Sequence, residues 1–196
     1  MREGQKTWGP EMVMHRASEL LQQYQDVQPV NPRMAVRSMD LRWKPPDSSV
    51  YKVNFDGALF PEQRCAGLGV VVRDSAGLVT AVLSQRVRLP SSADVVEALA
   101  TRRAICFAQE LSLHNVVIEG DSLKITQAIT DTRLVQTLYG HISDEIRLLS
   151  SSFICNFLHV NRKGNKLAHA LARRAVLSAD TDVWIEELPR DLEDVV

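Results

Sequence analysis

Regular alternation of apolar and polar positions begins at Val50. In YKVNFD, Tyr51, Val53 and Phe55 fall on one face and Lys52, Asn54 and Asp56 on the other. A period of two predicts a strand whose acid shares its polar side. AGLGVVVRD and LVTAVLSQRVRL are two β-rich runs joined by a Gly-bearing turn at Asp74 to Gly77, the pattern of an antiparallel hairpin. The period then changes. From Asp94 to Leu111, the residues Val96, Ala100, Ala104, Phe107 and Leu111 share one helical stripe, with Glu97 at its edge near the N-terminal end. Asn115 to Asp121 predicts an apolar strand, parallel to the first because a helix crosses between them. Helices follow over Ser122 to Thr130 and Tyr139 to Ser150, the second with Ile142, Ile146 and Leu149 inward. FICNFLHV reads as a last strand. Asn165 to Ser178 reads as a last helix that buries Leu167, Ala168, Leu171, Ala172 and Ala175.

The order β-β-β-α-β-α-α-β-α over residues 50–178 predicts an α/β domain with a mixed five-stranded sheet, three antiparallel strands and then parallel ones, and helices on both faces. Before it, residues 1–49 hold a short amphipathic helix, with Met12, Val13, Ala17, Leu20 and Leu21 at helical spacing, and a Pro-containing linker whose WKPPDSS run reads as a hinge. After it, residues 179–196 read as a short acidic tail. The chain has no internal repeat or low-complexity tract.

Composition narrows the class. A chain of 196 residues with 45% hydrophobic content fills one core. The formal net charge of −1 provides no global basic field, so any nucleic-acid contact must come from a local patch. Cys65, Cys106 and Cys155 are odd in number, far apart and set in apolar sequence, which argues for buried free thiols in a reducing compartment. No apolar run has the length of a signal peptide or a membrane span. The expectation is a soluble intracellular monomer with no membrane contact, nuclear or cytoplasmic.

The candidate chemistry is carboxylate. Asp56 closes a strand in VNFDGA, Glu97 opens a helix in VVEALA, and Asp121 closes a strand in VVIEGDS. Acids at strand ends beside a helix start can converge, and hard cations such as Mg²⁺ take that kind of oxygen cage. Taken singly, Asp121 could cap the next helix and Glu97 could answer the helix dipole. GLGVVV lies inside a hairpin strand and opens no helix, so it is not a nucleotide loop.

The stretches KVNFDGALF, GLGVVVRDSAGLV, EALATRRAICFAQELSLHNVVIEGDS and HVNRKGNKLAHALAR, in that order, resemble the ribonuclease H type 1 family, in the branch found in plant proteins and plant retroelement polyproteins. The resemblance implies a ribonuclease H-like fold and a metal-dependent endonuclease that cuts the RNA strand of RNA–DNA hybrids with two Mg²⁺ ions. Carried over position by position, the metal-binding catalytic residues are Asp56, Glu97, Asp121 and His169. The family's fourth residue is Asp, so His169 is a departure. An imidazole brings no negative charge and suits Mn²⁺ better than Mg²⁺, which implies weaker ion binding on that side. Asp144 could compensate only if its helix turned it toward the site, and Glu119, two residues before Asp121, shares its strand face.

The resemblance also implies that Asp56 bridges both ions and that its loss is the most damaging single change. Backbone at Gly57, Ala58, Gly67 and Gly69 could approach a hybrid closely, or those glycines could serve turns and bulges. Phosphate contacts fall to Arg102, Arg103, Lys163 and Lys166. The chain lacks the basic insertion of some relatives, which implies weak, salt-sensitive binding. Two alternatives remain. A 3′–5′ exonuclease of related fold would carry Asp-x-Glu on the first strand, whereas Asp56 is followed by Gly57 and Ala58. A non-catalytic adaptor that binds nucleic acid or protein is favoured by His169 and opposed by the intact acidic set.

Overall fold

A computed structural model of the chain describes residues 44–130 and 137–195. The amphipathic helix expected near the N-terminus lies outside the described residues. The chain follows the expected order. Strands β1 (Tyr51–Phe60), β2 (Cys65–Arg73) and β3 (Val79–Arg88) form an antiparallel meander, followed by helix α1 (Ala93–Glu110) and strand β4 (Asn115–Gly120). Then come α2 (Leu123–Thr130), α3 (Gly140–Ser150), β5 (Ile154–His159) and α4 (Lys166–Arg174). The last strand is β6 (Thr181–Ile185), and the sheet order is β5-β4-β1-β2-β3-β6.

Local chemistry sets the element boundaries. The β2–β3 turn closes because Asp74 Oδ1 accepts from the backbone N–H groups of Ala76 and Leu78, each at 2.9 Å, and Gly77 takes φ 84°. That left-handed conformation suits glycine. Helix α1 starts at Ser92, whose side chain accepts from the Val95 N–H at 3.3 Å, satisfying one of the helix's orphan donors.

Two cores flank the sheet. Val53 and Phe55 of β1, the alternate residues Ala66, Leu68, Val70 and Val72 of β2, and Ile118 of β4 pack with α1, α2 and α3. On the opposite face Val71 and Val82 pack with Leu167, Ala168 and Leu171 of α4 and with Leu192. Strand β2 is buried along its whole length, which explains why its sequence reads as an apolar run rather than an alternation. Gly67 and Gly69 face α4. A Cβ on Gly67 would lie 1.9 Å from the Ala172 carbonyl oxygen, and one on Gly69 would lie 2.2 Å from that of Ala168. These glycines let helix backbone rest on strand backbone, so neither the hybrid contact nor the turn role expected of them describes their place.

The expected five strands are six. The segment from Ala179 onward is not a tail: Thr181–Ile185 pairs antiparallel with Ala81–Gln85 of β3, and Arg190–Val195 forms a 3₁₀ turn that buries Leu192. Trp184 packs in the α4-side core and lies under the Arg174 guanidinium, 4.8 Å from ring centroid to charge. Arg174 also pairs with Asp182 at 3.2 Å and Asp191 at 3.1 Å. Acids that looked like a solvated tail are therefore counter-ions for α4. The three cysteines are free, with Cys65 buried, and among the described residues no helix is long and apolar enough to cross a membrane.

Candidate metal centre

Strand register brings two of the acids level. In the parallel β1–β4 pair, Asn54 faces Glu119, so two residues further on each chain Asp56 stands beside Asp121. The β4 strand ends at Gly120 while β1 runs on to Phe60. Asp56 is thus inside a strand rather than at its end, but at the point where its neighbour strand stops. Glu97 comes from α1 just past its first turn, and the helix can lie close on β1 because residue 57 is glycine. A Cβ there would be 2.4 Å from Val96 Cγ1 and 3.2 Å from the Val96 carbonyl carbon.

One carboxylate oxygen from each of Asp56, Glu97 and Asp121 lies within 4.8 Å of the others. They line a cavity of about 290 Å³ with Gly57, Arg162, Asn165, Lys166 and His169. Asp56 is 4% exposed. Its Oδ1 accepts from the Gly57 N–H at 2.9 Å, and its Oδ2 lies 2.6 Å from His169 Nδ1. His169 therefore stands beside the triad as a hydrogen-bond partner of Asp56, with its side chain 57% exposed. Asp121 Oδ2 accepts from Arg162 Nε at 2.9 Å. Asn165, 2% exposed, donates from Nδ2 to the Phe55 carbonyl at 2.8 Å, and its backbone carbonyl accepts the His169 N–H at 3.0 Å. It ties β1 next to Asp56 to the start of the helix that bears His169.

The charge in this cleft is poorly balanced. Burial pushes the Glu97 carboxyl up to about 9, and the charges of Asp56 and Asp121 push the same way. Burial and then Asp121 raise Asp56, opposed by His169 and the Gly57 N–H. Glu97 Oε2 and Asn165 Oδ1 are buried with no hydrogen-bond partner among the described residues. Buried acceptors without donors are costly, and three carboxylates crowded together with one oxygen orphaned are a donor set that fits a divalent cation.

The other expected site residues separate into those near the cleft and those elsewhere. Lys166 lines the cavity; Lys163 is exposed on the adjoining 3₁₀ turn. Arg102 is paired with Glu145 of α3 at 3.0 Å, and Arg103 with Glu110 at 2.9 Å, so each of these expected phosphate contacts already faces an acid. Ala58 is buried, at 8% exposure. Asp144 pairs with Arg147 at 2.5 Å on α3. Glu119 is buried and bound to Lys52 at 2.9 Å and Asn54 at 3.1 Å, a sheet-face polar cluster. Sequence reasoning missed Arg162 and Asn165. The Arg162–Asp121 pair joins residues 41 positions apart and no spacing announces it. Asn165 was read only as the start of a helix.

Solved structures share this fold. Ribonuclease H1 from the archaeon Halobacterium salinarum superposes with a TM-score of 0.61 at 23% identity, covering 66% of this chain and 99% of that one. The N-terminal ribonuclease H domain of a Mycobacterium tuberculosis protein, solved as a fusion with maltose-binding protein, gives 0.58 at 22%, covering 65% and 93%. A metagenomic ribonuclease H1 isolated from compost, solved in complex with an RNA/DNA hybrid, also gives 0.58 at 22%, covering 65% and 99%. The fold is ribonuclease H-like. Residues 54–175 match the family described as Reverse transcriptase-like, and the chain belongs to that family. No curated protein matches it in sequence.

Proposed function

We propose that this protein is a metal-dependent endonuclease that hydrolyses the RNA strand of RNA–DNA hybrids. The observation that carries the reading is the convergence of Asp56, Glu97 and Asp121 oxygens within 4.8 Å, in an open cleft edged by the cations Arg162 and Lys166. An all-oxygen set of three acids suits Mg²⁺. The histidine beside it adds tolerance for Mn²⁺. Two such ions, held by Asp56 with Asp121 and by Asp56 with Glu97, would supply a nucleophile at neutral pH and neutralise charge on the leaving 3′-oxygen.

The chain's own groups do the rest. Asp56 stands close to the other two acids and is held on both oxygens, by the Gly57 N–H and by His169, which orients its carboxylate. Asn165 fixes the strand just before it. Arg162 and Lys166 place positive charge where a phosphodiester would enter, and with a net charge of −1 that local patch makes binding salt-sensitive. Discrimination of RNA from DNA would rest on contacts to 2′-hydroxyls across the wide minor groove of the hybrid. Cleavage would leave a 5′-phosphate and a 3′-hydroxyl.

The hydrogen bond from His169 to Asp56 favours one second reading. If that imidazole is a permanent partner of the carboxylate, the domain is an adaptor that binds nucleic acid or protein without cutting. Incubation of a labelled RNA–DNA hybrid at low salt with Mg²⁺, and separately with Mn²⁺, decides between them. Cutting of the RNA strand alone, abolished in Asp56→Asn, supports the nuclease. A folded protein that binds hybrid and cuts with neither ion is the adaptor.

A further inference from the structure

The Arg162 side chain is 91% exposed, yet its Nε donates to Asp121, a side chain only 12% exposed. Its root is held firmly. The Val160 N–H donates to the Gly120 carbonyl at 2.9 Å, and His159 Nε2 lies 3.1 Å from the Asp121 carbonyl oxygen. The Asn161 side chain accepts the Lys163 N–H at 3.0 Å, and the Asn165 N–H donates to the Arg162 carbonyl at 3.1 Å. The backbone is thus pinned to the end of β4 and to the start of α4, while the guanidinium reaches through solvent to one acid of the triad. A fixed pivot with a solvated arm can change partners at little cost, because an exposed ion pair contributes little to stability.

We propose that Arg162 is an exchangeable counter-ion. It pairs with Asp121 in the metal-free protein, and transfers to a phosphodiester of the bound nucleic acid when divalent cations occupy the acids. The proposal rests on the nuclease reading for its second half only. A guanidinium within hydrogen-bonding distance of one triad oxygen opposes entry of a divalent cation by direct repulsion. The same group is an able phosphate ligand, being permanently charged and carrying a fork of donors. Lys166, on the same cleft wall, gives the phosphate a second cation. One residue therefore works against metal binding and in favour of nucleic-acid binding, and its removal must move the two affinities in opposite directions.

The test uses the full chain and Arg162→Gln, with Arg103→Gln as a control for loss of a charge paired away from the cleft. Mn²⁺ binding without nucleic acid is measured by calorimetry. Arg162→Gln should bind about 3- to 10-fold more tightly than wild type, and Arg103→Gln should match wild type. Binding of a labelled RNA–DNA hybrid in Ca²⁺ is then followed by anisotropy across a salt series. Arg162→Gln should bind several-fold more weakly, with a log–log salt slope shallower by about 0.9, one phosphate contact. Unchanged or weaker Mn²⁺ affinity in Arg162→Gln overturns the proposal, as does an unchanged hybrid slope. If wild type itself binds no hybrid, the nuclease reading fails and takes the phosphate transfer with it, while the Mn²⁺ comparison still decides the counter-ion role. If wild type binds and cuts and Arg162→Gln keeps its slope, only the exchange is refuted.

Discussion

Replacing Glu97 by Gln should make the metal-free protein more stable while destroying its proposed activity. Burial and two neighbouring acids hold the Glu97 carboxyl at about 9 in the fold, against an ordinary value of 4.5. At pH 7 the side chain must take up a proton to fold, and the fold loses stability as pH rises from 4.5 toward 9. Each unit of that window costs about 1.4 kcal/mol, a ceiling of roughly 3 kcal/mol at pH 7. Asp56 and Asp121 share the titration, so a gain of about 1–2 kcal/mol is expected from the glutamine, which has no proton to acquire. For a chain of this size that raises Tm by roughly 2–8 °C. Thermal melts in EDTA from pH 4.5 to 9 measure it. The two proteins should be close at the acid end, with the variant ahead increasingly as pH rises. A wild type as stable as the variant at pH 8, or a gap independent of pH, would refute the account. Saturating Mn²⁺ should reverse the order, since a ligand at a hundred times its Kd adds about 2.7 kcal/mol to the protein that binds it.

Gly69→Ala would force a methyl group to 2.2 Å from the Ala168 carbonyl oxygen and 2.4 Å from the Ala172 nitrogen. Urea denaturation should show a loss of about 1–3 kcal/mol, with cleavage falling because the displaced helix carries His169. Asn165→Ala removes a buried side-chain donor to the Phe55 carbonyl and should cost about 1–3 kcal/mol in the same assay; a loss within error would mean that water replaces the amide. Arg102→Gln breaks an exposed pair with Glu145 and should change stability by less than about 1 kcal/mol. Hybrid affinity should be unchanged in that variant, and a marked loss would return Arg102 to the binding surface.

Legibility in the sequence followed the strength of the periodic signal. The meander of β1 to β3 and the 18-residue helix α1 were plain because the strands are long β-rich runs, β2 buried throughout, and the helix keeps one apolar stripe over its length. Strand β6 was not, since Thr181–Ile185 offers five residues with Val183 and Ile185 exposed, so burial left almost no alternation to read. The three acids could be picked out by element ends and by family resemblance, and their convergence agrees with the register that sets Asn54 against Glu119. The glycines stayed ambiguous because a missing side chain signals close approach without saying of what. At positions 67 and 69 the approaching object is helix α4 rather than a ligand. The partners of Arg102 and Arg103 were not legible, because a basic side chain does not reveal the acid facing it. Asn165 and Arg162 act through contacts to residues 110 and 41 positions away, which only the folded chain brings together.

The pairing of β6 with β3 has a practical consequence for anyone who trims the protein. A fragment ending at residue 175, where the family match stops, would strip the backbone of Ala81–Gln85 of its partner strand and leave an unpaired β-edge in solvent. Such edges template intermolecular pairing. The same cut would remove Trp184, Leu192 and the acids that neutralise Arg174, baring one side of α4. The shortened domain should express as aggregate, and its silence in a nuclease assay would report on solubility rather than on the chemistry of the acidic cleft.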